Sequence, residues 1–70
     1  MIKELDVVAL TVDLPDHGLE KGAIGTVVWV YPNQACEVEF LDVQGYTVAL
    51  VILTFAQVRP LSASEVAAKR

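Results

Sequence analysis

An all-β fold of five short strands is what this 70-residue sequence predicts. Three observations lead there. The chain is 54% hydrophobic, and the surplus is aliphatic, mainly valine, leucine and alanine in runs of strand length. Residues 36–41 alternate apolar and polar side chains with period 2. Proline, glycine and asparagine then punctuate the runs at short intervals, as turns require.

The elements follow in order. Residues 5–12 read as the first strand, with Val8, Leu10 and Val12 on one face and Val7, Ala9 and Thr11 on the other. Residues 13–22 read as a long loop punctuated by Pro15, Gly18 and Gly22, with Leu14 and Leu19 folding back onto the core. Residues 25–31 form the second strand, rich in β-branched and aromatic side chains. The segment Pro32-Asn33-Gln34-Ala35 makes a hairpin turn, in which Asn33 tolerates the left-handed region. Residues 36–41 are the third strand, with Cys36, Val38 and Phe40 inward and Glu37 and Glu39 outward. Asp42-Val43-Gln44-Gly45 closes a second hairpin, where Gly45 supplies a positive φ. The fourth strand covers residues 46–53, extending to Thr54, and both of its faces are largely apolar. Phe55-Ala56-Gln57 suits a 3₁₀ turn, and Val58-Arg59 a short fifth strand ended by Pro60. In the tail, Ser62 and Glu65 have capping-box spacing for about two turns of helix.

Five strands, one long early loop, two tight hairpins and a 3₁₀ turn before the last strand fit an SH3-like barrel spanning residues 1–61, with a helical tail over residues 62–70. The same spacing also permits a partly open five-stranded sheet.

The run from Leu19 to Val28, with Gly22 and Gly25, is similar to the glycine-containing segment of KOW-like and other SH3-like barrels. Taken with Asp13-Leu14-Pro15, Glu37-Val38-Glu39-Phe40 and Gln57-Val58-Arg59-Pro60, the chain resembles a small bacterial family catalogued as domain of unknown function 4926. The resemblance covers about residues 1–61. Its motifs are turn and core motifs, so it implies an SH3-like fold and a bacterial cytoplasmic origin and carries no activity with it.

Composition bounds the chemistry. A chain this short buries about 60% of the surface its unfolded form exposes, and small folds often recruit disulfides, metals or partners. Cys36 is the lone cysteine and His17 the lone histidine, so an internal disulfide is excluded and a zinc staple is not expected. The mean hydropathy is +0.50, which is high for so short a chain. The longest apolar run, residues 48–53, falls far short of the ~18 residues that span a membrane, so no membrane partner is expected. The first residues mix both charge signs and lack an apolar signal core, which with the free cysteine predicts a cytoplasmic protein. A domain this small also suits the cargo of a mobile bacterial gene cassette. Nucleic-acid binding rests on Lys and Arg neutralising phosphates. Five basic residues against nine acidic ones, net charge −4, argue against it, and Trp29 and Tyr31 are flanked by no basic side chain.

No constellation of catalytic residues emerges, and neither catalysis nor a cofactor is expected. Gly22-Ala23-Ile24-Gly25 lacks the Lys-Ser/Thr and the helix of a phosphate loop, so its glycines serve backbone geometry. Asp13, Asp16, His17 and Glu20 lie close together, but no second histidine or cysteine partners them as a metal set, and they read as a solvated loop. Cys36 alternates with Val38 and Phe40 and reads as a buried structural residue rather than a nucleophile. Glu37 and Glu39 share a face without the cleft that paired carboxylate catalysis needs.

What remains is the apolar surplus. With Val28 and Val30 inward, Val27, Trp29 and Tyr31 point outward. On the fourth strand Val48, Leu50 and Ile52 face one way, and Ala49, Val51, Leu53 and Phe55 the other. A small barrel buries one such set, and the other forms a patch of the kind that marks interfaces. Val66 and Ala67 of the tail are positioned to cover part of it. The expectation is a non-enzymatic module that forms a homo-oligomer through Val27, Trp29, Tyr31, Val51, Ile52, Leu53 and Phe55. The alternative is an acidic antitoxin- or immunity-type protein that meets a basic protein partner through Glu37, Glu39 and Asp42.

Overall fold

A computed structural model describes residues 2–68. Five strands, β1 (Val7–Leu10), β2 (Ile24–Tyr31), β3 (Ala35–Leu41), β4 (Thr47–Thr54) and β5 (Val58–Pro60), form one antiparallel sheet in the order β4-β3-β2-β1-β5. The sheet is open, with β4 and β5 at its edges. A single short helix, α1 (Ala63–Ala68), follows. The helical tail expected over residues 62–70 extends past the described residues at Lys69 and Arg70.

One core collects side chains from every strand: Val8 and Leu10, Val27, Cys36, Val38 and Phe40, Val51 and Leu53, and Val58, with Ile2 closing one end. Leu14 and Leu19 pair across the early loop and pack against this core, as their apolar character in a polar loop predicts. Between them Pro15–His17 forms a 3₁₀ turn that ends at Gly18, whose φ is 69°. The expected 3₁₀ turn at Phe55–Gln57 is present.

The first strand is shorter than its apolar run. Leu5 sits at φ 72°, 80% exposed, and Leu5 N–H donates to Val27 O while Val27 N–H donates to Asp6 O. Two residues thus oppose one, which ends regular pairing as a bulge does. Beyond Leu10 the chain bends away, and Val12 is exposed. In the β2–β3 turn the positive φ falls on Gln34, at 58°, rather than on Asn33. Gly45 takes its positive φ, 87°.

Two further bulges reset the facing of side chains. On β2 the register steps from Val27↔Val38 to Trp29↔Glu37, leaving Val28 surplus. On β4 it steps from Phe40↔Ala49 to Leu41↔Thr47, leaving Val48 surplus. Uninterrupted alternation assigns Val27 outward and Val28 inward. The bulge reverses this: Val27 is fully buried and Val28 is exposed, while Trp29 keeps its outward aim.

Candidate interaction surface

The outer face is built on β3. Glu37 lies between Trp29 on β2 and Ile52 on β4, and Glu39 lies between Thr26 and Leu50. Directly opposed residues on one face bring their Cβ atoms to about 5 Å, so these rows are contact rows. Trp29, Leu50 and Ile52 are 53%, 54% and 61% exposed, and Val48 extends the strip along β4. Exposed apolar side chains therefore flank Glu37 on both sides and Glu39 on one.

Each carboxylate is held by a hydroxyl. Tyr31 Oη donates to Glu37 Oε1 at 3.3 Å, and Thr47 Oγ1 donates to Glu39 Oε2 at 2.7 Å. Desolvation and the Glu37 charge beside it raise the Tyr31 phenol above its ordinary pKa. Among the described residues the one ion pair is Arg59–Glu65 at 3.0 Å, so no cation answers Glu37 or Glu39.

Of the residues expected at an oligomer interface, Trp29 and Ile52 are well exposed on this face, and Tyr31 stands half-buried beside them. Val27, Val51 and Leu53 are corrected to core residues: the β2 bulge turns Val27 inward, and the odd-numbered side chains of β4 face the core. Phe55 is half-buried and packs against that core. Leu50, which sequence pattern left with two equivalent faces to choose from, joins the exposed strip. Asp42 departs from the expected acidic face because its Oδ1 accepts the N–H groups of Gln44 and Tyr46 at 2.9 and 3.0 Å, fastening the hairpin.

The tail helix is tied elsewhere. Ser62 and Glu65 form the expected capping box, and Glu65 also grips Arg59 of β5, at the sheet edge opposite β4. Val66 and Ala67 therefore do not cover Trp29, Leu50 and Ile52, which stay exposed.

The remaining candidates are accounted for locally. Cys36 is fully buried, and burial pushes its thiol pKa up, away from nucleophilic use. Asp13 Oδ1 accepts the Lys21 N–H at 2.7 Å, beside a shallow concavity lined by Pro15, Leu19 and Ala23. Among the described residues no three His, Cys, Asp or Glu side chains converge as a metal site. Nor is any helix among them long and apolar enough to cross a membrane.

No curated protein and no solved structure matches this chain. A family model matches residues 4–60, from the N-terminal turn to the last residue of β5. The chain belongs to the family described as domain of unknown function (DUF4926).

Proposed function

We propose that this chain is a non-enzymatic protein-interaction module of the bacterial cytoplasm, shaped as an SH3-like barrel, which self-associates through the outer face of β2, β3 and β4. The barrel reading is supported by the core: Leu53 on one edge strand and Val58 on the other belong to the same buried cluster, so the sheet coils strongly. The observation that carries the interaction reading is the exposure, on one face, of Trp29 on β2 and of the neighbouring Leu50 and Ile52 on β4, either side of Glu37 and Glu39. Contiguous apolar surface rimmed by polar groups is characteristic of interfaces, and tryptophan is prominent among their hot spots. Sedimentation equilibrium at micromolar concentration tests this. The expected result is a defined oligomer, dissociated by Trp29→Glu where the flat of the face is the seam, and a stable wild-type monomer overturns it.

A second reading is favoured by one observation: Glu37 and Glu39 have no cationic partner among the described residues. A basic protein seated on this face would supply it. Here capture from the native host is the test, and partners that survive Glu37→Lys with Glu39→Lys exclude this reading.

A further inference from the structure

The free edge of β4, rather than the flat of the outer face, is where we infer that a second copy of this chain docks, pairing antiparallel around Val51. This inference rests on the self-association reading and moves its seam from the flat of the face to the β4 edge, so that a Trp29→Glu change, two strands away on β2, leaves the pair intact.

The backbone determines which groups are free. Phe55 N–H donates to Gln34 O at 2.9 Å, one step beyond the Ala35↔Thr54 pair. Antiparallel pairing alternates hydrogen-bonded and non-bonded pairs. Val38↔Val51 and Cys36↔Leu53 are therefore bonded pairs, and the N–H and C=O of Leu50 and Ile52 point away from β3. Thr54 confirms the phase, because its N–H donates outward to its own Gln57 Oε1 at 2.9 Å. No other backbone group among the described residues reaches Leu50 or Ile52.

The middle of this edge carries none of the usual protections. Thr47–Thr54 contains no charged residue and no proline, the devices by which edge strands are kept from pairing. Its two ends are nevertheless closed, one by the bulge at Val48 and the other by Gln57 on the Thr54 N–H. What remains open is a short, self-complementary window. In it Leu50 and Ile52 exchange four main-chain hydrogen bonds with Ile52 and Leu50 of the partner subunit across a two-fold axis.

Charge selects the edge over the face. Stacking two outer faces sets sheets about 10 Å apart and brings four carboxylates, Glu37 and Glu39 of each copy, into one desolvated layer. Edge pairing leaves the two β3 strands about 14 Å apart, three strand spacings, beyond the ~8 Å screening length at physiological salt. The exposed side chains of Leu50 and Ile52 then meet those of the partner subunit across the seam. The opposite sheet edge, β5, has only three residues, ends at Pro60 and is flanked by the Arg59–Glu65 pair. Assembly accordingly closes at two copies.

The test is chemical synthesis of the chain with N-methyl-leucine at position 50, followed by sedimentation equilibrium. Leu50 N–H has no partner within the chain, so the circular dichroism spectrum stays as in the wild type, and so does the melting temperature at concentrations low enough that both chains are monomeric. The dimer weakens by roughly 30-fold or more, for two net hydrogen bonds lost per dimer. A wild-type dimer that N-methylation leaves intact overturns the edge geometry and leaves self-association standing. A wild-type monomer overturns both, and open-ended polymers overturn the closed pair. Should the Leu50 variant lose its native spectrum, N-methylation at Ile52 gives the same readout.

Discussion

Gly25→Ala is the most informative single change in the core. Gly25 is buried on β2 with a φ outside the left-handed region, so its role is steric rather than conformational. A Cβ added there lies 2.6 Å from Val38 Cγ1, 2.9 Å from Phe40 Cε1 and 3.0 Å from Glu39 O. Carbon–carbon contacts are optimal at about 3.5–4.0 Å, so the neighbours must retreat by about 1 Å. They cannot do so freely: Val38 is β-branched, Phe40 fills the core centre, and the carbonyl belongs to the β3 ladder. Overpacking of this kind costs about 1–3 kcal/mol. The loss of chain entropy in the unfolded state returns about 0.4–1 kcal/mol. The net spans about 0–2.6 kcal/mol, and a closest contact of 2.6 Å places it in the upper part, about 1–2 kcal/mol. For a domain of this size 1 kcal/mol corresponds to roughly 7 °C, so Tm should fall by about 7–15 °C. Thermal and urea unfolding followed by circular dichroism measure it. Adding Val38→Ala removes the nearest atom, so the double variant should be more stable than the sum of the singles by at least about 0.5 kcal/mol. A Gly25→Ala protein as stable as wild type, or strict additivity, would refute the contact argument.

Two further outcomes follow. Leu5 stands at φ 72° with 80% of its surface exposed, so its side chain contributes strain and little packing. Leu5→Gly should leave stability unchanged or raise it by up to about 1 kcal/mol, while the β-branched Leu5→Val should lower it; a urea midpoint order other than Gly ≥ Leu > Val counts against this. The Glu65 carboxyl is lowered to about 2 from 4.5, first by the Arg59 guanidinium and then by the Ser62 N–H. A depressed carboxylate contributes stability above its unfolded pKa and loses it as pH falls, so the α1 cap should fail between about pH 4.5 and pH 2. Carboxyl titration by NMR checks this, and a Glu65 midpoint near 4.5 or a shift untouched by Arg59→Ala would contradict it.

The sequence is most legible where local chemistry decides. The alternation of Cys36 to Phe40 reports β3 directly, because one face of that strand is apolar and the other carries the two glutamates. Ser62 and Glu65 announce their cap, and Gly45 its turn. The β2 facing is not legible, since Gly25 to Tyr31 reads as one unbroken strand and the bulge at Val28 is set by its pairing with β3. On β4 both sets of side chains are apolar, so composition cannot choose between Val51 with Leu53 and Leu50 with Ile52. That choice depends on register, which is a property of two strands. On the candidate surface the outward aim of Trp29 is legible in the pattern, the burial of Val27 depends on the β2 bulge, and nothing local separates exposed Leu50 and Ile52 from buried Val51 and Leu53.

The bulges at Val28 and Val48 also bear on how such chains can change length. In a strand whose facing repeats every two residues, gaining or losing one residue inverts everything beyond it. A bulge absorbs that extra residue: with Val28 set aside, Val27 inward, Trp29 outward and Val30 inward form an unbroken alternation. The surplus position is thus where a single-residue deletion leaves the facing pattern intact. Across relatives of this chain, one-residue gaps inside strands should gather at the positions of Val28 and Val48, and gaps spread evenly along β2 and β4 would speak against that role.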